Sequence, residues 1–171
     1  MSSANWPAPL QADPAALGRA LSVVAEESFF AMVDPVPDEA ILSDDRSNGL
    51  LMARVTFDGG FSGALCCTMP RALAHELTAA FTGATPDEIA VADPAVDDLA
   101  GEFANMVCGH WLTQVAPQLL FNLSHPSVEA VALPRTGHAP AGLLNGQPIW
   151  VDLSLEPPQR AGVRVGGPGK A

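Results

Sequence analysis

Residues 50–83 read LLMARVTFDGGFSGALCCTMPRALAHELTAAFTG, and the change of hydrophobic period inside this stretch decides the fold. Leu50 to Phe57 and Phe61 to Met69 are apolar, strand-like runs. The Asp58-Gly59-Gly60 between them supplies glycines that permit positive φ, so the two runs predict an antiparallel hairpin. From Pro70 the period lengthens to that of a helix: Leu73, Leu77 and Phe81 fall on one face, and Gly83 supplies a C-terminal stop.

On the N-terminal side, Pro14 suits the first turn of a helix, and AALGRALSVVAEESFFAMV places Leu17, Leu21, Val24, Phe29 and Met32 at roughly helical intervals. This predicts a long amphipathic helix that ends before Pro35 and Pro37. The acidic stretch DEAILSDDRSNG offers only Ala40 to Leu42 as a short strand. On the C-terminal side, AVDDLAGEFANMVCGHWLTQV predicts a third helix, with Pro94 as a first-turn residue and Pro117 at its far boundary. His125 to Leu133 and Pro148 to Leu155 read as two further strands around a Gly- and Pro-bearing loop at residues 134–147. Paired strand runs with helices before, between and after them predict one α+β domain, a mainly antiparallel sheet packed against long helices on one face. That domain spans residues 14–156, after a flexible arm at 1–13 and before a disordered tail at 157–171.

Composition narrows the function. The chain has 171 residues, 48% of them hydrophobic, enough for one genuine core. Its formal charge of −11 repels phosphate backbones and anionic lipid, so neither nucleic acid nor membrane is expected as a partner. There is no apolar run of spanning length, and MSSANWPAPLQADP lacks the basic start and apolar stretch of a signal peptide, which predicts a cytoplasmic protein. Cys66, Cys67 and Cys108 make neither an even framework nor a CxxC pair. The histidines at 75, 110, 125 and 138 show no HxxxH or HExxH spacing, so no metal bound by this chain is expected. The Asn122-Leu123-Ser124 sequon is a chance match in such a protein.

The third helix carries the chemistry. At about 100° per residue, Asp98, Glu102, Asn105 and Gly109 fall within roughly 60° of one another, opposite a broad arc of Leu99, Phe103, Met106, Val107 and Trp111. Burial of that arc would hold the polar stripe toward solvent. Exposed charges on a helix are most often just its wet face. Against that stands the choice of Asn at mid-helix and of Gly109, which costs about 1 kcal/mol relative to Ala and leaves room for another backbone.

The segment DDLAGEFANMVCG, specifically Asp98-x3-Glu102-x2-Asn105 followed by Gly109, resembles the signature helix of the CheC/CheX chemotaxis phosphatases. The likeness runs over roughly residues 15–155 and includes the hairpin VTFDGGFSGALCCTMP, the helix after it and the proline of LSHPSVEAV. The spacing from Asn105 to Pro126 is a little shorter than in the family pattern, and Glu-x2-Asn occurs once, as in the single-site, dimer-forming CheX-like members. The resemblance implies hydrolysis of the aspartyl phosphate of a CheY-like response-regulator receiver. On it, Asn105 orients the attacking water, Glu102 pairs with the receiver's lysine, and Asp98 and Gly109 extend the docking face. It also implies a homodimer, no cofactor on this chain and Mg2+ on the receiver. The rival readings are a receiver-binding or flagellar-switch-like module without catalysis, and a thiol enzyme built on one of the cysteines. The thiol reading is weak because His110 points about 160° away from Cys108 around the helix.

Overall fold

The computed structural model describes residues 15–37, 49–132 and 139–156. In chain order they form α1 (Ala16–Phe29), β1 (Val33–Asp34), β2 (Leu50–Gly59), β3 (Gly63–Pro70), α2 (Arg71–Thr82), a short 3-10 turn (Pro86–Glu88) and α3 (Pro94–Val115). Four more strands follow: β4 (Phe121–Leu123), β5 (Ser127–Val131), β6 (Gly142–Leu144) and β7 (Gln147–Leu155). The arm at 1–13, Pro14, the Ala40 to Leu42 strand, His138 and the tail lie outside the described residues.

The seven strands make one sheet in the order β1-β6-β7-β3-β2, and the outer side of β2 is shared by β4 and β5. Every pairing is antiparallel. The hairpin read from the sequence is β2–β3, in register from Leu50↔Pro70 to Phe57↔Gly63. β2 runs on through Gly59 and β3 begins at Gly63, so the turn lies at residues 60–62, two residues beyond its expected place. The side-chain period of two sends Leu51, Ala53, Val55 and Phe57, with Leu65, Cys67 and Met69, to the face where all three helices share one core.

The helices depart from expectation mainly at their ends. α1 stops at Phe29, not at the prolines: Phe30 adopts a left-handed conformation (φ 54°), and the Ala31 N–H bonds back to the Ala25 carbonyl at 3.0 Å. Met32, expected on the apolar face, is therefore outside the helix and 70% exposed. Its neighbour Val33 instead joins the sheet edge as part of β1. α2 ends at Gly83 (φ 72°) as read, but Phe81 is half exposed, its ring tilted against that of Phe29 with centroids 5.5 Å apart. The expected 134–147 loop contains β6, closed onto β7 by Asn145 (φ 49°) and Gly146 (φ 75°), the two consecutive positive-φ residues of a tight hairpin turn.

α3 is the centre of the molecule, with α1, α2, β2, β3, β4 and β5 all packed against it. Leu99, Phe103, Val107 and Trp111 are buried as expected, whereas Met106 is only half buried. Ala100, Gly101, Ala104 and Cys108 are buried too, and their small size lets neighbours close in on flanks the periodicity had left open. Phe103 has no exposed surface and stacks at a tilt on Phe29, 5.2 Å between centroids. Truncating a ring so enclosed leaves a cavity, so Phe103→Ala should lower stability by about 3–5 kcal/mol. Urea denaturation measures this, and an unchanged midpoint would show that α3 is held elsewhere.

Candidate functional site

Local sequence sets where α3 starts and how it is held. The Asp93 carboxylate caps it by accepting from the Ala95 N–H at 2.9 Å, and Pro94 needs no partner for the N–H it lacks. Arg71 at the start of α2 meets Asp97 at 2.8 Å, a surface ion pair worth less than about 1 kcal/mol but consistent with the packing of α2 beside α3. With the apolar side enclosed, Asp98 and Glu102 project into solvent and Asn105 is half buried beside them.

These three side chains line one wall of an open groove of about 830 Å³. Leu123, Ser124, His125, Pro126 and Val128 line the other, and Gly101 forms part of the floor. Gly109 does not line the groove; it sits about a turn further along α3, and a Cβ there would meet nothing within 4 Å. The structure thus brings Asp98, Glu102 and Asn105 together and leaves Gly109 as open surface next to them.

Sequence reasoning made His125 and Pro126 the first two residues of a strand, which in the structure begins only at Ser127, and missed what they do. β4 pairs with β2 as far as Leu123↔Phe57, and β5 resumes at Ser127↔Arg54. Three residues, Ser124, His125 and Pro126, therefore face two, Val55 and Thr56, which is a β-bulge in the edge strand. Ser124 anchors it twice: its N–H donates to the Thr56 carbonyl (2.8 Å) and its Oγ accepts from the Thr56 N–H (3.0 Å). Pro126 brings no unpaired donor and packs on Gly101, where an added Cβ would lie 3.1 Å from the proline ring and 3.3 Å from Val128 Cγ2. A proline at the second position of a strand-like run was the available signal.

Below the groove, Phe57, Phe61, Trp111 and Phe121 meet ring to ring, the closest pair, Phe61–Phe121, at 4.8 Å. This cluster ties β4 to the C-terminal half of α3 and so fixes the spacing of the two walls. The chemistry on offer is two carboxylates, one carboxamide and one imidazole. The cysteines add nothing: Cys66, Cys67 and Cys108 are buried, burial and the neighbouring thiols push Cys67 far up, and burial pushes Cys108 up to about 12. Thiols so held are unreactive, which removes the basis for a thiol enzyme. Among the described residues no three His, Cys, Asp or Glu side chains converge as metal ligands would, and no helix is long and apolar enough to cross a membrane.

Comparison with known proteins places this architecture. Residues 51–132 match the model of the family described as chemotaxis phosphatase CheX, a span that contains every residue lining the groove. Among solved structures, the chemotaxis protein CheX from Vibrio vulnificus superposes with a TM-score of 0.62 at 18% identity, covering 85% of this chain and 97% of that one. CheX from Desulfovibrio desulfuricans gives 0.58 at 19%, covering 82% and 97%. CheX of Borrelia burgdorferi, solved as a CheX-CheY-BeF3-Mg2+ complex, gives 0.56 at 14%, covering 82% and 95%. No curated relative matches by sequence. At these identities the solved structures share the fold, and the sequence match makes residues 51–132 of this chain similar to the CheX family.

The close fit at Gly101 is itself testable. Gly101→Val forces branched atoms into Pro126 and Val128, and overpacking of this kind should cost about 1–3 kcal/mol. Urea denaturation reads the loss; wild-type stability would show that the bulge moves freely away from α3.

Proposed function

We propose that this chain hydrolyses the aspartyl phosphate of a CheY-like receiver domain, with Asn105 orienting the attacking water and Glu102 docking the receiver's lysine. The observation that carries the reading is the placement of Glu102 and Asn105 side by side in one open groove, within the segment that matches the CheX family. The CheY, BeF3 and Mg2+ of the Borrelia burgdorferi complex support the choice of partner and agree with a divalent cation carried by the receiver.

The chemistry asks little of such a partner. A phosphorylated receiver already holds the acyl phosphate, a cation and a lysine. What remains is to hold a water in line with the scissile bond, and positioning and electrostatics dominate phosphoryl transfer. The carboxamide oxygen of Asn105 can accept from that water. An amide is too weak a base to deprotonate it, so its contribution is orientation. Being half buried limits the rotamers Asn105 can visit, which favours a fixed direction. Glu102, three residues earlier and exposed, can make a charge-assisted contact with a lysine ammonium and set the docking register. Asp98 continues the acidic edge, and the open surface at Gly109 admits a partner's backbone. A cytoplasmic homodimer is part of the same reading, carried by the resemblance to CheX.

Two substitutions separate catalysis from docking. Asn105→Ala should cut dephosphorylation of a phosphorylated receiver by roughly 10²-fold, since misplacing a reactant by about an ångström has that effect. Affinity for the same receiver loaded with BeF3 and Mg2+ should change little. Equal loss of turnover and affinity would instead favour a receiver-binding module without catalysis. Glu102→Lys should weaken receiver association by roughly tenfold with melting unchanged, because the new charge opposes the partner's lysine. Unchanged kinetics would remove Glu102 from the mechanism.

A further inference from the structure

We infer that His125 is a second docking residue of the groove, contacting the phosphorylated pocket of the receiver from the wall opposite Glu102; this rests on the function proposed above. The bulge is the first ground. An edge strand needs no extra residue merely to cover β2, and bulges beside functional clefts serve to re-aim a side chain. Here the extra residue falls at Ser124-His125-Pro126, and all three line the groove.

The second ground is how firmly the bulge is held. Ser124 is pinned on one side by its two hydrogen bonds with Thr56, and Pro126 is seated on Gly101 on the other. His125 lies between two fixed neighbours, so its backbone has little freedom, yet its side chain is exposed and makes no hydrogen bond among the described residues. A residue placed this rigidly with its polar atoms free is arranged for an external partner.

Charge supplies the third ground. Across the groove, α3 presents Asp98 and Glu102, and in β2 the charged residues flanking the bulge are Arg54, paired with Ser127, and Asp58, paired with Asn122. Of the groove-lining side chains, only the imidazole can donate an N–H from a ring and carry positive charge. The chain as a whole stands at −11, and a receiver's phosphorylated pocket is itself rich in carboxylate and phosphoryl oxygens. A donor on the far wall answers those oxygens while Glu102 answers the lysine, so the groove grips a mixed-charge pocket from two sides.

The experiment uses the full chain and receiver domains of the host genome, loaded with BeF3 and Mg2+ for calorimetric affinity and phosphorylated with acetyl phosphate for turnover. His125→Glu, which sets an acid against acidic oxygens, should weaken affinity and raise KM by roughly tenfold, with kcat within about twofold of wild type. His125→Gln keeps an N–H donor and should recover affinity to within about threefold of wild type. Both variants should melt as wild type does. Wild-type affinity in His125→Glu, with Asn105→Ala still slow, would overturn the inference and leave the function standing. His125→Gln as weak as His125→Glu would overturn the donor role. A wild-type chain that neither binds nor dephosphorylates any receiver would remove both.

Discussion

The burial of α3 along most of its circumference is the condition on which the rest of the molecule depends. Six elements close on this helix, and the small residues Ala100, Gly101, Ala104 and Cys108 let them approach. A helix enclosed to that extent cannot roll to suit a partner without opening the core. The polar strip of Asp98, Glu102 and Asn105 is thus held at a fixed azimuth. Side-chain direction along α3 reinforces this, since residues at i and i+4 or i+3 stack over one another on one face.

The second wall comes from the place where a sheet is usually weakest. An edge strand exposes unpaired backbone, and a bulge both interrupts that edge and bends it. In this chain the interruption between β4 and β5 turns the edge toward α3, so a flat margin becomes the side of a groove. The contact between Gly101 and Pro126 joins the two walls directly, and the aromatic cluster of Phe57, Phe61, Trp111 and Phe121 joins them from below. Acidic groups on one side and an imidazole on the other give the groove a polarity across its width.

Much of this could be read from the sequence, and the parts that could not share a cause. The β2–β3 hairpin, α2 and α3 were legible because each carries its period over eight or more residues and ends on a glycine or proline with a stated conformational role. Asp98, Glu102 and Asn105 were legible because helical geometry alone places them on one line. β1, β4 and β6 are two or three residues long and carry no period at all. The end of α1 at Phe30 was hidden because a left-handed phenylalanine contradicts local preference and is imposed by the chain's turn toward the sheet edge. Ser124 and His125 stayed invisible as site residues because their role arises from a one-residue slip of register against β2, which is a property of the assembled sheet.

On the function proposed above, a receiver docks in this groove with the Asn105 carboxamide reaching its phosphorylation site. A structure of this chain bound to a receiver carrying BeF3 and Mg2+ tests it most directly. The Asn105 side-chain oxygen should lie within hydrogen-bonding reach of a water in line with the beryllium, and Glu102 against the receiver's lysine. A receiver seated elsewhere, with the α3 strip still facing solvent, would contradict it.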